Sequence, residues 1–428
     1  MRMGVVADDI TGANDIGIMF AKAGYVTQVY VWDGPGTLAR ASQWEQADVV
    51  ILDTDSRLDP PQLAYDKVFA ATRELQEAGC KHFHNKTCSV FRGNIGVEFD
   101  AMLDALGERF AVVVLGFPKN GRLTMNGVHY VHGKRLEKSE FRRDPVHPMT
   151  QSNLVDILQE QTTRRVGLLT HEVVKQGPQV LQEHIAEIRP HCDYLILDVS
   201  DQHALHTIAR AVRDEPVLCG SSALAEELAA VWEVPSATAP YVALPRRTGA
   251  GVLCVAGSLM PQTVAQIRHL HDRGTPIWEL DTLRLFDEAE RERVRLTVAL
   301  VHHLRKGETV LLHASNDAAS VEQTRAEGAR RGMARAEVSR LVSGALARIV
   351  AEVVVQAEVN RVVMAGGDTS AAICRGLGIT GMRVWQEIEP GLPSCLSLTD
   401  PPLFLVLKSG SFGSPDFLEQ AIDHVMQR

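Results

Sequence analysis

The stretch Val5-Val6-Ala7-Asp8-Asp9-Ile10-Thr11-Gly12-Ala13-Asn14-Asp15-Ile16-Gly17 decides how the chain is read. Met3 to Ala7 is a short apolar run that predicts a buried first strand, and it stops at two adjacent carboxylates. A Thr-Gly turn follows, and Ala13 to Ala23 then carries Ile16, Met19, Phe20 and Ala23 at helical spacing. Strand, acidic turn and helix in that order predict an open α/β sheet, whose ligands bind at the carboxyl ends of the strands. Asp8 and Asp9 repel one another there unless a cation, a metal or a ligand hydroxyl satisfies them. The alternative is that Asp9 caps the helix and Asp8 is solvated.

The pattern repeats outward. Val49 to Leu52 reads as a strand opening into Asp53-Thr54-Asp55-Ser56-Arg57, and Lys81 to Asn85 as a strand opening into Lys86-Thr87-Cys88-Ser89-Val90-Phe91-Arg92-Gly93-Asn94. Strands alternating with helices predict a mostly parallel sheet. Phe117 to Pro148 breaks the rhythm with Gly and Pro and with alternation around Val128 to Val131, which predicts a long excursion containing a β-hairpin; loops of this length are functional or meet another subunit. Regular α/β alternation returns from Val166 to Ala223. The stretch 234–251 is rich in Pro and Gly and has no period, so it marks a boundary between an N-terminal domain, 1–240, and a C-terminal domain, 250–428. A chain of 428 residues exceeds one ordinary core, in keeping with two domains. The fold class expected is therefore α/β, with two mostly parallel sheets flanked by helices.

Three strand-end clusters in the first half, Asp8/Asp9, Asp55/Arg57 and Lys86/Ser89/Arg92/Asn94, lie along one sheet edge in such a fold. Carboxylates accept from hydroxyls, while Lys86 and Arg92 suit a substrate carboxylate, so the mixture fits a small polyhydroxylated acid. The alternative for Lys86 and Arg92 is a pair of surface cations. The second half offers three glycine/hydroxyl turns between strand and helix: Ala256-Gly257-Ser258, Gly366-Gly367-Asp368-Thr369-Ser370 and Ser409-Gly410-Ser411-Phe412-Gly413. Glycines let a phosphate approach the backbone and helix N-termini supply N–H groups, although neither the P-loop nor the dinucleotide fingerprint is present. Helix capping by Ser258, Asp368 and Ser411 is the alternative. An acid-sugar pocket in one half and a phosphate site in the other predict phosphoryl transfer between them, with domain closure excluding water.

A net charge of −9 gives no basic footprint for nucleic acid. No apolar run approaches membrane-spanning length, and no signal-peptide pattern opens the chain, so a cytoplasmic location is the expectation. Seven widely spaced Cys without a CxxC favour reduced thiols over zinc or disulfides.

The motifs ADDITGANDIG (7–17), KTCSVFRGNIG (86–96), FPKNGRLTMNGVHYVHGKRLEKSEFRRDP (117–145), CGSSALA (219–225), AGGDTSAAICRGLGI (365–379) and LKSGSFG (407–413) resemble, in order and over nearly the whole chain, those of the four-carbon acid sugar kinases. That family holds D-threonate, D-erythronate and 3-oxo-tetronate kinases. The resemblance implies transfer of the γ-phosphoryl group of ATP to the 4-hydroxyl of a four-carbon acid. It implies a substrate region with Asp8, Asp9, Arg57, Lys86, Ser89 and Arg92, to which Thr11, Asp55, Thr87 and Cys88 of the same turns are added as candidates; Asp9 or Asp8 is the expected acceptor of the hydroxyl proton. It also implies a nucleotide region with Ser258, Gly366, Gly367, Asp368, Thr369, Ser409 and Gly410. Asp368 would hold Mg²⁺, with Lys408 as an alternative neutraliser of phosphate charge. The family commonly has Asp where this chain has Cys88, and Thr-Leu where it has Val90-Phe91, which bears on the choice of acid. The stretch from Gly127 to Pro148 is closer to the D-threonate and D-erythronate kinases, so D-threonate is the expected substrate, with D-erythronate or a 3-oxo-tetronate as alternatives. A homodimer is expected, with the excursion as its contact. Two readings of other classes compete: a metal-dependent phosphatase using Asp8 and Asp9, which leaves the glycine turns unexplained, and a non-catalytic acid-sugar sensor.

Overall fold

Strand β1, Met3–Ala7, is buried along its whole length, and helix Ile10–Ala21 follows it at once. The helix starts three residues before the apolar spacing suggests, because Asp9 caps it by accepting from the Gly12 N–H; Thr11-Gly12 thus lies within its first turn. Eleven of its twelve residues are buried, so its amphipathic pattern is weak and its start was hard to read.

The computed structural model describes residues 2–41, 43–144, 146–232 and 244–427. Two compact units, Met1–Pro240 and Tyr241–Arg428, divide the chain. Of the expected boundary stretch, 234–243 lie outside the described residues and 244–251 form neither helix nor strand.

The first unit continues with β2 (Thr27–Val31), β3 (Val49–Asp53), β4 (His82–Lys86), β5 (Ala111–Val114), a side sheet of β6 (Arg122–Met125), β7 (Val128–Val131) and β8 (Lys134–Arg135), then β9 (Val166–Leu169), β10 (Tyr194–Leu197) and β11 (Val217–Gly220). Its main sheet runs β2-β3-β1-β4-β11-β5-β10-β9, with every pair parallel. The chain leaves β1 toward β2 and β3 but leaves β4 in the opposite direction. A topological switch point therefore lies at the carboxyl ends of β1 and β4, where such sheets bind ligands. The excursion forms three antiparallel strands rather than one hairpin. Its two-residue loops, Asn126-Gly127 and His132-Gly133, both take positive φ, as right-twisted hairpins require.

The second unit comprises β12 (Leu253–Ala256), β13 (Ile277–Leu280), β14 (Val310–Ala314), β15 (Arg361–Ala365), β16 (Gly381–Glu389), β17 (Leu392–Ser397) and β18 (Phe404–Lys408), in the order β13-β14-β12-β15-β18-β17-β16. The first five are parallel; β17 and β16 add an antiparallel pair that the sequence did not reveal. β16 mixes buried and half-buried positions and carries two register irregularities, so it shows no clean alternation. Here the switch point lies at the ends of β12 and β15. Among the described residues no helix is long and apolar enough to cross a membrane.

Candidate active site

In the first unit, register aligns Ala7 with Asp53 on one side and Lys86 on the other, so three turns leave the sheet edge side by side. Backbone bonds lace them together: Asp8 N–H donates to Lys86 O at 3.2 Å, and the Ser56 and Arg57 N–H groups donate to Asp8 O at 3.1 and 3.3 Å. Arg57 then reaches both carboxylates. Its Nε and Nη2 donate to Asp8 Oδ2 and Oδ1 at 2.8 and 2.7 Å, and its Nη1 and Nη2 donate to Asp9 Oδ2 and Oδ1 at 2.9 and 2.8 Å. Asp8 is only 2% exposed, so it is ion-paired rather than solvated. Asp9 both caps the helix and pairs with Arg57; its Oδ1 accepts from Gly12 N–H and its Oδ2 from Thr11 Oγ1, each at 2.8 Å. Burial works to raise the Asp9 pKa, but Arg57 and Lys86, with the two hydrogen bonds, bring it below the ordinary carboxylate value.

Lys86 ends β4 instead of opening the turn after it, and at 3% exposure it is no surface cation. Its Nζ donates to Thr87 O at 3.1 Å and sits 3.6 Å from Asp15 Oδ2. Thr87 is buried, and its Oγ1 has no partner among the described residues. Cys88 accepts from Arg92 Nε at 3.2 Å. Burial pushes this thiol up, yet Arg92 and Arg57 together hold it below its ordinary value. Arg92 also pairs with Asp144 Oδ2 at 2.6 Å and lies over the Phe141 ring, 5.2 Å from its centre, so the excursion folds back on this turn. The Arg92 side chain is 16% exposed. Ser89 is buried in the same turn, and half-buried Asp55, with φ of 48°, donates its N–H to Asp53 Oδ1.

Three acidic residues here were not singled out from the sequence. Asp144 lies in the excursion, 52 residues from Arg92. Glu98 accepts from Ser56 Oγ at 2.8 Å, and burial first, then the Asp8 charge, lifts its carboxyl well above the usual range. Asp15 pairs with Lys86 and accepts from Ser222 Oγ at 2.7 Å. A lone charged residue in an almost wholly buried helix is the signal that finds Asp15, but burial is not visible in sequence.

In the second unit the ends of β12, β15 and β18 are aligned, Ala256 with Ala365 and Ala365 with Lys408. Gly366 N–H donates to Lys408 O at 2.9 Å, and Gly257 N–H to Ala365 O at 3.1 Å. The three glycine turns thus converge. Gly410 packs so tightly that a Cβ there would lie 2.1 Å from Ser258 Oγ and 2.9 Å from Ser258 Cβ. Gly366, with φ of 118°, precedes helix Gly367–Gly376 and offers no capping side chain, so first-turn N–H groups are left for an anion. Ser258, Asp368 and Ser411 cap no helix: the capping positions are Met260 and Gly366, and Ser411 lies six residues before helix Phe417–Gln427. Thr369 is buried; Ser258, Gly367 and Ser409 are half-buried; Asp368 is exposed and accepts from Ser339 Oγ at 3.1 Å. Beneath the turn, Lys408 is fully buried and donates to Thr263 Oγ1 at 2.9 Å and Gly410 O at 3.3 Å; burial brings its pKa down to about 7. Among the described residues no group of three or more His, Cys, Asp or Glu could hold a metal ion.

Two family models match: a sugar-binding N-terminal domain over residues 3–228 and a nucleotide-binding C-terminal domain over residues 253–418. The chain belongs to the four-carbon acid sugar kinase family. Membership carries the class of chemistry, phosphoryl transfer to a sugar acid. The chain is 33% identical to the 3-oxo-tetronate kinase of Pseudomonas fluorescens, covering 98% of this chain and 96% of that one, and 32% identical to the 3-oxo-tetronate kinase of Cupriavidus necator with the same coverage. A solved structure from Salmonella typhimurium, titled a putative tRNA synthase, superposes with a TM-score of 0.80 at 28% identity and 98% coverage of both chains. A Haemophilus influenzae protein of the same identity and coverage superposes with a TM-score of 0.69.

Proposed function

We propose that this chain transfers the γ-phosphoryl group of ATP to the terminal hydroxyl of a four-carbon acid sugar. One observation carries the reading: Asp8 and Asp9 are locked onto Arg57 beside Lys86 and Arg92 at the switch point of the first unit. Such a site recognises a small molecule bearing both hydroxyls and a carboxylate. Carboxylates fixed by Arg57 accept from substrate hydroxyls in set directions, and Lys86 with Arg92 supplies positive charge for the substrate carboxylate. In the second unit Gly366, Gly367, Thr369, Ser409 and Gly410 line the phosphate turns, with Ser258 at their centre. The donor set fits Mg²⁺, which needs only one or two carboxylates when phosphates and water complete its shell, and Asp368 is the exposed carboxylate at these turns. When bound, Mg²⁺ neutralises charge on the phosphates.

The curated relatives favour a 3-oxo-tetronate as the acceptor. D-threonate stands as the second reading, on the likeness of residues 127–148, where Asp144 reaches Arg92. A coupled ADP-release assay with Mg-ATP against 3-oxo-tetronates, D-threonate, L-threonate and D-erythronate tests both. One strongly preferred acid is expected. Silence across the panel would remove the kinase reading of these acids. Phosphate release without nucleotide would favour a phosphatase, and acid binding without turnover a sensor. We also propose a homodimer; a monomer by light scattering would rule it out.

A further inference from the structure

Every oxygen of the two leading carboxylates is already engaged. Asp8 Oδ1 and Oδ2 each take an Arg57 N–H; Asp9 Oδ1 takes Arg57 and Gly12, and Asp9 Oδ2 takes Arg57 and Thr11. For Asp9, Arg57 and Lys86 with these two hydrogen bonds outweigh burial and hold the carboxyl below its ordinary value.

Asp15 differs. It lies on the same helix, one turn beyond Thr11 and Gly12, and is 5% exposed. Its Oδ2 accepts from Ser222 Oγ at 2.7 Å and faces Lys86 Nζ at 3.6 Å. Its Oδ1 is buried and has no hydrogen-bond partner among the described residues. Gly12 puts no side chain between Asp9 and Lys86: a Cβ there would lie 2.5 Å from Asp9 Oδ1 and 3.0 Å from Lys86 Nζ. The charged groups meet over bare backbone, one helical turn from Asp15.

We infer that Asp15, through its unengaged Oδ1, accepts the proton of the acid-sugar hydroxyl, while Ser222 and Lys86 hold its Oδ2. The inference rests on the kinase reading above. As the hydroxyl oxygen forms its bond to the γ-phosphorus, its O–H bond breaks and the proton passes to Asp15 Oδ1. The bond from the γ-phosphorus to the bridging oxygen breaks, and ADP leaves with that electron pair. Asp15 then returns the proton to solvent. Asp8, Asp9 and Arg57 remain the rigid frame that positions the substrate.

The charge environment supports the role. Burial raises the Asp15 pKa to about 6, against Lys86 and the Ser222 hydroxyl, which lower it, with the Asp9 charge adding to the rise. Arg122, from β6, also feels the Asp15 charge. A base works best with its pKa near the operating pH.

The test uses full-length D15N, D15E and S222A, assayed with Mg-ATP and the preferred acid across the neutral pH range, with circular dichroism as the fold control. D15N is expected to lower kcat by about 10²-fold or more, to leave KM within about threefold, and to abolish the acidic limb of the kcat profile. S222A is expected to move that limb upward, because the charged carboxylate loses a donor; a merely structural serine would not move it. If D15N fails to fold, D15E and S222A still report the limb. An acidic limb unchanged in S222A and D15E, or a D15N that keeps kcat, overturns the assignment while the kinase reading stands. A wild-type protein that turns over no acid of the panel removes both.

Discussion

For the two anions proposed above, the switch points of the molecule are built in opposite ways. The first unit buries charge around its strand ends: Arg57 pairs with Asp8 and Asp9, Lys86 with Asp15 and Arg92 with Asp144. The second removes side chains: glycines bring three turns into contact around Ser258, and the helix after Gly366 has no capping side chain. The difference suits the proposed ligands. A small acid sugar differs from its relatives by the direction of a few hydroxyls, which only fixed, directional side-chain partners can distinguish. A triphosphate presents the same dense charge to every kinase, and a helix N-terminus with bare backbone suffices for it.

That contrast can be broken most directly at Arg57. Arg57→Met leaves two buried carboxylates without their shared partner, so a loss of about 3–5 kcal/mol of folding stability is expected, read from urea unfolding. An Arg57→Met protein as stable as wild type would show that the charged frame is not held by this fork. Next comes Lys408, a cation buried beneath the glycine turns. Its folded pKa of about 7 lies below its ordinary 10.5, so between those values the unfolded chain binds more protons and stability rises with pH. In Lys408→Met that rise should disappear, at roughly 1.4 kcal/mol for each pH unit traversed as an upper bound. Urea midpoints of the two proteins measured across this range decide it; parallel curves would place the lysine in contact with water.

Gly410→Ala probes the bare backbone itself. The added Cβ collides with Ser258, so ATP should lose about tenfold or more in affinity, some 1.4 kcal/mol, while stabilisation by the acid sugar is unchanged. Equal loss of both ligands in a thermal-shift comparison would mean that the turn supports the fold rather than the phosphate. The smallest effect is expected at Cys88. Arg92 keeps its pairing with Asp144, so Cys88→Asp should alter KM among the panel acids by less than about tenfold and leave kcat nearly unchanged. A collapse of kcat would give the thiol a role beyond balancing the two arginines.

Much of this was legible before the structure. Apolar strand runs and the residues that end them marked the switch-point turns of both units, because a parallel sheet buries its strands on both faces and leaves its chemistry to the strand ends. β4 was harder: His82–Lys86 is polar in sequence but almost wholly buried between β1 and β11, and reading it one residue early put Lys86 in the turn. The β16–β17 pair escaped because β16 breaks register twice and so shows no clean alternation.

By itself the sequence determined two α/β units, the acidic and glycine-rich turns, and the family, since these depend on periodicity and on motifs of adjacent residues. Tertiary structure alone decided which charges meet. Arg57 finds Asp8 across 49 residues, Arg92 finds Asp144 across 52, and Ser222 finds Asp15 across 207. Those pairings are fixed by strand order and register, and no local propensity encodes them. They separate the carboxylates held by arginine from one with an oxygen that has no partner among the described residues, which is the distinction on which the proposed chemistry turns.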